Sequence, residues 1–381
     1  MFVTKSIEDM TRKDAFIVLN GMQGVGPVML RRLLERFNED PVLILHSSEA
    51  ELMSVKGVGK KATSGIRGWR DGNWLELERG RIAKHGARFI TVEEGDYPQA
   101  LLETFDPPIG LYCQGTSPSE PCVAIVGTRL PTLYGQNMAR EIASGLANIG
   151  FCVVSGMARG IDAAAHEGAL NASGRTVAVF GCGIDIIYPP EHLDLYRRIV
   201  ETGAVVSEFP FGRRADRQTF PMRNRVVAGM CAGVVVVESS AVGGSMITAR
   251  FAGEQGRQVF AVPGRADQPT AVGCHKLIRD GATLVTHAEQ VIEEIAPSLG
   301  LSWASSVSDG DSDASSGKAV PDDLSPAEGT LYACLKDGSI LTSDSLCERT
   351  NLPVHQVAAA LTMLELKRLV SRCPDGSFEV R

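Results

Sequence analysis

Five arginines lie within thirteen positions of the segment GRRADRQTFPMRNRVVAGM, residues 212 to 230, although the formal net charge of the chain is -7. They are Arg213, Arg214, Arg217, Arg223 and Arg225. Phe220 and Pro221 interrupt the run, and an apolar pattern then resumes as at a helix start. Guanidinium groups bind phosphates, and an aromatic ring among them can stack on a base. A charge run by itself is also typical of a solvated loop, so both interpretations stay open.

The elements that must position this segment follow from the alternation of residues 120 to 296. Short apolar runs (VAIVG, FCVVSG, TVAVFG, AVVSE, GVVVVE, QVFAV, ATLV) alternate with helical patterns such as YGQNMAREIASGLANIG. Such runs are typical of a parallel sheet covered on both faces, and they predict a doubly wound α/β domain. Ligands bind such sheets beyond the carboxyl ends of the strands. We call that edge the rim.

Four loops that follow strands contain glycine, serine, threonine or arginine. They are GTRLPTLYG, SGMARGID, the arginine run and ESSAVGGSMITAR. Glycine lets backbone N–H groups approach an anion, and the following helix adds its positive end. For any one of these loops taken alone, the need for a tight turn is enough to explain its glycine residues. The four together, beside Arg129 and Arg159, favour an anion site at the rim.

Other chemistry at the rim is poorly supported. The first loop lacks G-x-G-x-x-G, no acidic residue closes the second strand, and G-x-x-x-x-G-K-[ST] is absent, which disfavours NAD and P-loop nucleotides. Asp162 and His166, four residues apart, could serve acid–base chemistry or half a metal site. No third ligand or nucleophile has matching spacing, so helix capping by Asp162 and packing of His166 are favoured. We predict no metal and no catalytic residue.

Composition describes an ordinary globular protein of two or three domains, with 381 residues, 44% hydrophobic and 22% charged. Nine cysteines without a C-x-x-C pair indicate buried thiols in a reducing compartment. The first residues, MFVTKSIEDMTRKD, are too polar for a secretory signal, and no apolar run is long enough to span a bilayer. We therefore expect a cytoplasmic protein without membrane contact.

A polar stretch divides the chain. SVSDGDSDASSGKAVPDD, residues 306 to 323, has almost nothing to bury and predicts a disordered linker over 301–323. The domains predicted around it are a helical domain over 1–80, an α/β domain over 81–300 and a winged-helix domain over 324–381. The last begins with a capping box from Ser325 to Glu328 and ends in a hairpin at Pro374–Asp375–Gly376. Its recognition helix offers few cations, mainly Lys367 and Arg368 at its end, which favours a protein-contact or regulatory module over a sequence reader.

The N-terminal region contains two similar segments, LNGMQGVGPVMLRRLLERF and LMSVKGVGKKATSGIR, whose G-V-G turns are 33 residues apart. This pattern is typical of paired helix-hairpin-helix motifs, in which the turn frees backbone N–H groups for a DNA phosphate. A small helical bundle used for packing is the alternative. Lysines flank the turn only in the second copy. We therefore predict a secondary DNA contact only there, at Lys56, Gly57, Gly59, Lys60 and Lys61.

Seven ordered blocks of the α/β region resemble the DNA-processing protein A family, also called Smf. They are VAIVGTRLPTLYG, VVSGMARGIDAAAHEGAL, GRTVAVFGCGIDIIYPPEHLDL, GAVVSEFPFG, TFPMRNRVVAGM, VVVVESSAVGGSMITARFAGEQGRQVFAVPG and GCHKLIRDGA. Thr128, Gly243 and His275 depart from the residues usual in the family. The last two departures put fine loop geometry in doubt.

The resemblance implies a fold of three parts: an extended Rossmann-like doubly wound α/β sheet, an N-terminal helix-hairpin-helix (SAM-like) domain and a C-terminal winged helix. It also implies a protein that is not an enzyme and needs no cofactor. Such a protein binds single-stranded DNA, dimerises through the Rossmann-like domain, and protects incoming DNA and loads RecA recombinase in natural transformation. By motif position, the residues implied to bind DNA are Arg129, Ser155, Gly156, Arg159, Gly160, Arg217, Phe220, Arg223, Asn224, Arg225, Gly243, Gly244, Ser245 and Thr248.

Two other classes of function stay open from the residues. One is a nucleotide-processing enzyme of the phosphoribohydrolase (lysine-decarboxylase-like) group, whose P-G-G-x-G-T-x-x-E loop is only partly matched by SAVGGSMITAR. The glutamate expected in that loop is missing. The other is a scaffolding protein without DNA binding. Among the arginines, Arg223 and Arg225 begin a helix, so either one could instead pair with a carboxylate such as Glu208 or Glu238.

Overall fold

The computed structural model describes residues 10–22, 24–71, 73–301, 324–335, 341–367, 369–372 and 376–380. Contacts divide the chain into two compact units, Met1–Ser305 and Ser306–Arg381. Nearly all of the predicted linker over 301–323, from residue 302 onward, lies outside the described residues. The boundary at 80/81 stays a prediction, because the helical region and the α/β region share one unit.

Six helices form the N-terminal region. They are α1 (Arg12–Gly21), α2 (Pro27–Arg36), α3 (Pro41–His46), α4 (Glu49–Met53), α5 (Lys60–Arg67) and α6 (Trp74–Lys84). Their apolar faces bury residues such as Phe16, Leu33 and Ile66, which belong to the same core cluster as Tyr112 and Phe180 of the sheet region. Burial of these side chains is the main force that holds the helices together and against the sheet.

The sheet region follows, and its elements alternate as the sequence predicts. They are β1 (Arg88–Thr91), α7 (Gln99–Leu102), β2 (Gly110–Gly115), β3 (Cys122–Val126), α8 (Leu133–Asn148), β4 (Cys152–Ser155), α9 (Ile161–Asn171), β5 (Thr176–Phe180), α10 (Leu193–Thr202), β6 (Ala204–Ser207), α11 (Thr219–Gly229), β7 (Gly233–Val236), α12 (Gly244–Glu254), β8 (Gln258–Ala261), α13 (Val272–Arg279), β9 (Thr283–Leu284) and α14 (Ala288–Ile295).

The strands form one sheet in the order β1-β2-β6-β5-β4-β3-β7-β8-β9. All neighbours from β6 to β9 are parallel. Residues of one face, such as Val154, pack with α11 and α12, and residues of the other face, such as Val153, pack with α8, α9 and α14. The predicted doubly wound α/β fold is confirmed, and the order of strands reverses between β3 and β7.

Two strands were not predicted. β1 pairs with β2 and β2 with β6, both antiparallel, which extends the sheet beyond β6. The sequences RFIT and GLYCQG are short and carry no helical pattern between them, so the β-α-β alternation that revealed the other strands is missing here.

The second unit contains α15 (Pro326–Leu335), α16 (Ser343–Thr350), α17 (Val354–Leu366), β10 (Val370–Arg372) and β11 (Phe378–Val380). β10 and β11 are antiparallel, and ten buried side chains among the described residues of this unit, including Leu331, Leu346 and Leu361, form its core. The predicted winged helix is confirmed; Pro374 and Asp375 of the predicted hairpin lie outside the described residues. In the described part of the chain, none of the helices has the length and apolar character that crossing a bilayer requires.

Candidate nucleic-acid interface

The arginine run starts in the loop between β6 and α11, and this loop is fixed by the N-terminal helices. The carboxylate of Glu78, completely buried in α6, accepts hydrogen bonds from the Tyr112 hydroxyl (2.8 Å) and the Phe211 backbone N–H (2.9 Å). Asn20 of α1 donates to the Glu208 carbonyl at 2.8 Å. The helical region thus positions the loop, although nothing in the spacing of these residues indicates it.

Asp216 sets the start of α11. Its carboxylate accepts hydrogen bonds from the backbone N–H groups of Gln218 (2.8 Å) and Thr219 (3.0 Å) and pairs with Arg213. The backbone hydrogen bonds from Thr219 and Gln218, and then the Arg213 side chain, lower the pKa of Asp216. Arg213 is therefore engaged with the helix start, while Arg214 and Arg217 are exposed.

Arg225 is buried, which favours the structural role that the sequence left open for it over the predicted DNA contact. Its guanidinium pairs with Glu208 and donates to the Asp106 carbonyl at 2.6 Å, and only 5% of the residue is exposed. Burial raises the pKa of Glu208 and the charge of Arg225 opposes that shift. This is the ion pair with Glu208 that the sequence left open, formed because the helix turns Arg225 toward the β6 end.

Arg223 is also buried, with 6% exposure, and its Nη1 donates to the Val179 carbonyl at 3.1 Å. Its guanidinium lies against Gly156, where a Cβ atom would be 1.3 Å from Nη1. Asp162, close enough to Arg223 for charge attraction, accepts from the N–H groups of Gly156 (3.2 Å) and Ala158 (3.3 Å). Arg223 therefore supports the β4–α9 loop from inside, which favours a structural role for it over the predicted phosphate contact.

The exposed side of α11 borders a cleft of about 570 Å³. The cleft is lined by Ile186, Tyr188, Gly212, Arg214, Ala215 and Phe220. The rings of Tyr188 and Phe220 have centroids 6.1 Å apart and are inclined by 50°. The Arg129 guanidinium, from the loop after β3, lies over the Phe220 ring at 5.1 Å. A smaller cavity continues from the same two rings to Arg223 and Gly156.

Three exposed arginines lie at or near this cleft. Arg214 lines it, Arg129 lies over its Phe220 ring, and Arg217 belongs to the same loop as Arg214. Among the described residues, none of the three forms an ion pair, which leaves their charges available to a phosphate. Arg159 is exposed but pairs with Glu191. Arg214 and Tyr188 line the cleft but are not among the predicted residues, because a sequence does not show which side of a loop faces a cleft.

Two of the four predicted anion-binding loops are already occupied by carboxylates of the protein. Glu238, at the end of β7, accepts from the backbone N–H (2.8 Å) and the hydroxyl (2.6 Å) of Thr132, the N-cap of α8. Asp162 holds the β4–α9 loop, as described above, and so contacts the loop before its helix, not the helix cap predicted for it. Since β3 and β7 flank the point where strand order reverses, Glu238 fills the position at which such folds bind a dinucleotide phosphate.

The remaining predicted residues divide between structural and accessible positions. The Ser155 hydroxyl is buried and donates to the Ile125 carbonyl at 2.7 Å, and the Ser245 hydroxyl donates to Ser239 Oγ at 2.8 Å. Thr248 is buried. Gly160 has φ 80° and lies so close to the β3–α8 loop that a Cβ atom would be 2.4 Å from the Thr128 carbonyl oxygen.

The start of α12 lies beside α11. Asn224 donates from Nδ2 to the Gly244 carbonyl at 3.3 Å, and Gly244 is exposed with open space where a Cβ atom would be. Gly243 is the N-cap of α12, and no side chain caps it. Of the predicted residues in this loop, Gly243 and Gly244 are accessible, whereas Ser245 and Thr248 point inward.

His166 does not serve as a ligand in this arrangement. Its Nδ1 lies 2.6 Å from the Thr176 hydroxyl oxygen, as the packing interpretation predicted, and Nε2 is buried with no partner among the described residues. Burial, with the nearby charges of His192 and Arg223, lowers the pKa of His166 to about 3. Within the described ranges, no three histidine, cysteine or acidic side chains are grouped so as to hold a metal ion.

The two G-V-G turns have the same backbone. Gly24 and Gly57 have φ of 81° and 92°, and Gly26 and Gly59 are extended N-caps of α2 and α5 without a side-chain cap. The predicted turn-and-helix geometry is therefore present in both copies. Contact of either copy with DNA stays a prediction.

The α17 helix of the second unit exposes apolar side chains, including Val354 (66%) and Leu366 (72%). Lys367, one of its few cations, donates to Glu328 at 3.1 Å; Arg368 lies outside the described residues. This surface carries little positive charge for a DNA groove, in keeping with the preference for a protein-contact module.

Comparisons with known proteins place these features in a family. Residues 88–296 match the family described as DNA recombination-mediator protein A, and residues 316–376 match the DprA winged helix domain. The chain is 34% identical to protein Smf of Synechocystis sp. over 393 residues, covering 94% of this chain and 96% of that relative.

Two solved structures are similar. DNA processing protein A from Streptococcus pneumoniae is 30% identical, with TM-score 0.65, covering 75% of this chain and 98% of that one. DNA processing protein A from Helicobacter pylori, whose structure was described for its single-stranded DNA binding mode, is 30% identical with TM-score 0.50, covering 55% of this chain and 97% of that one.

Proposed function

The chain belongs to the DNA recombination-mediator protein A family, and from this we propose that it binds single-stranded DNA at the cleft beside Phe220. We further propose that it protects incoming DNA and loads a RecA recombinase onto it in natural transformation, in the cytoplasm. The family is one of DNA-binding recombination mediators and not of enzymes. The related H. pylori protein, described as binding single-stranded DNA, supports the choice of ligand.

The observation that carries the proposal is the combination of an aromatic cleft with unpaired exposed arginines. Arg129, Arg214 and Arg217 can each bind a phosphate, which occurs in every sequence. Aromatic rings at the cleft can contact any base, provided that the base is unpaired and its face is free. A duplex hides those faces, so this arrangement favours single strands.

The carboxylate at the start of α8 supports the same conclusion. A mononucleotide or dinucleotide enzyme of this fold class binds its phosphate at the N–H groups of such a helix. Here the carboxylate of Glu238 takes that position at α8. A strand that crosses several loops needs no such cradle, whereas the phosphoribohydrolase alternative does.

We propose a homodimer through the Rossmann-like domain. Two clefts on one dimer would make the second contact of a long strand intramolecular and so raise its affinity. A strand too short to reach both clefts should bind much more weakly. Equal affinity for short and long oligo-dT at one salt concentration, together with a monomeric mass in solution, would contradict the dimer.

The winged helix and the G-V-G turns enter the proposal as accessory parts. The second turn, with Lys56, Lys60 and Lys61, is proposed as a secondary DNA contact. The winged helix is proposed as a protein-contact module. A fragment ending near Gly300 should therefore keep most of its affinity for single strands.

The experiment is a fluorescence anisotropy titration of the full chain with oligo-dT and with a duplex of equal length. We expect tighter binding of the single strand, weakened by Arg129→Ala and by Arg217→Ala. Arg197→Ala is the matched control, because Arg197 is exposed but pairs with Asp194 on α10. Equal binding of oligo-dT by the parent and by both folded rim variants, at every salt concentration, would refute the proposed site.

A further inference from the structure

Tyr188 is the most accessible aromatic ring of the cleft. It lies in the segment between β5 and α10, and 40% of the residue is exposed. Its ring forms a corner with Phe220, at a centroid distance of 6.1 Å and an inclination of 50°. Both rings line the same cleft of about 570 Å³.

Phe220 itself is largely covered. The Arg129 guanidinium lies over its ring, and the ring packs beside Gly181, where a Cβ atom would be 3.3 Å from Phe220 Cδ1. A base that enters the cleft therefore finds little free face on Phe220. The free aromatic face belongs to Tyr188.

Tyr188 also differs from the tyrosines that serve packing. Tyr97 and Tyr112 are 1% and 0% exposed, and their hydroxyls donate to the Pro108 carbonyl and to Glu78. In the described part of the chain, no residue hydrogen bonds to the Tyr188 hydroxyl. Its ring is instead exposed inside a cleft that is lined mainly by apolar and aromatic side chains, the setting in which proteins bind small organic groups.

We propose that an unpaired nucleobase stacks on Tyr188, with the Phe220 ring and the Arg129 guanidinium forming the fixed wall that meets the edge of the base. Stacking on one ring and edge contact with the other match the geometry that aromatic groups prefer. Arg214, at the same cleft, holds the adjoining phosphate. This rests on the proposed function and adds the base-binding residue.

The test compares oligo-dT with an abasic oligodeoxynucleotide of equal length, which has the phosphates but no bases. For Tyr188→Ala, we expect affinity for oligo-dT to fall by about 5- to 150-fold, the loss of one stacked base. Affinity for the abasic strand should stay within about twofold of the parent, since the charges are unchanged. Tyr188→Phe should bind both strands as the parent does, because it keeps the ring.

A spectroscopic variant reports stacking directly. In Tyr188→Trp, oligo-dT should quench the added indole fluorescence, measured as the difference from the parent, and the abasic strand should not. Tyr134→Trp is the matched control, since Tyr134 is 45% exposed but its hydroxyl donates to the Pro263 carbonyl and it does not line the cleft. Its fluorescence should be unaffected by bases.

The outcomes separate this inference from the proposed function. If the parent fails to bind oligo-dT, the proposed function is wrong and this inference is wrong with it. If the parent binds but a folded Tyr188→Ala protein binds oligo-dT equally well, or both strands quench Tyr188→Trp alike, only the stacking role of Tyr188 is overturned.

Discussion

The arginines in the two halves of the run, residues 213–217 and residues 223–225, differ in their exposure and in their bonding partners. Arg223 and Arg225, the buried arginines, are at most 6% exposed and bond to backbone carbonyls, and Arg225 also pairs with Glu208. Arg214 and Arg217 are exposed, and neither has an ion-pair partner among the described residues. One sequence cluster of positive charge therefore contains two kinds of arginine: buried ones that support the rim from inside, and exposed ones that we propose bind phosphate.

The division follows from the point at which the helix begins. Asp216 caps the start of α11, so residues before Thr219 lie in a solvated loop. Residues from 223 onward are on the helix, which packs on the sheet and turns Arg223 and Arg225 inward. A buried guanidinium is tolerated only where carbonyls or carboxylates compensate its lost hydration.

The largest expected effect is on stability. Arg225→Ala should lower the free energy of unfolding by about 3–5 kcal/mol, because it leaves the buried Glu208 carboxylate without its partner. Arg217→Ala should change it by no more than about 0.5 kcal/mol. Urea denaturation followed by circular dichroism measures both. Equal stability of the two variants would abolish the distinction between buried and exposed arginines.

The next effect is on affinity. Phe220→Ala removes the wall of the cleft that meets the edge of the base, and should weaken oligo-dT binding by about 0.5–1.5 kcal/mol, the value of an edge contact between aromatic groups. The slope of the affinity against salt should hardly change, since no cation is lost. Isothermal titration at several salt concentrations measures both quantities. A flattened slope would instead show that Phe220 acts by positioning a phosphate contact.

The pH dependence of stability tests the burial of His166, which lies near the buried Arg223. The folded pKa of His166 is about 3, whereas the ordinary value is about 6.5, so the unfolded chain binds more protons between these limits. Stability should therefore decrease as pH falls from about 6.5, by up to about 1.4 kcal/mol per pH unit from this residue. His166→Gln should lose this contribution, and other titrating groups, common to both proteins, cancel. Identical pH slopes would contradict a neutral buried His166.

The smallest expected effect is a difference in salt dependence between two arginines of the loop before α11. Arg213 pairs with Asp216, whereas Arg217 has no such partner among the described residues. Arg213→Ala should leave the salt slope of oligo-dT binding nearly unchanged, while Arg217→Ala lowers it by about 0.7. Equal slopes for the two variants would show that the pairing of Arg213 does not decide its availability.

Much of the fold could be predicted from the sequence because each strand from β3 to β9 is a distinct apolar run next to a turn. The strands β1 and β2 were not predicted, since two short antiparallel strands separated by a four-residue helix leave no alternating signal. The sequence also did not predict that the N-terminal helices pack against the β6–α11 loop through Glu78 and Asn20. Such contacts join residues far apart in the chain.

The site was predicted less completely. Motif position identified the loops but not the direction of their side chains, so Ser155, Ser245 and Arg225 were included although all three are buried. Tyr188 and Arg214 were left out, because only the folded chain brings the β5–α10 segment beside α11. The sequence also did not show that Glu238 contacts the N-cap of α8 and that Asp162 holds the β4–α9 loop.

The most direct test of the account is the salt dependence of oligo-dT affinity in the double variant Arg214→Ala/Arg217→Ala. Each exposed arginine that contacts a phosphate contributes about 0.7 to the log–log slope for a single strand, so the slope should fall by about 1.4 while the melting temperature stays that of the parent. An unchanged slope in a folded double variant would contradict the claim that the exposed arginines of this run hold the strand.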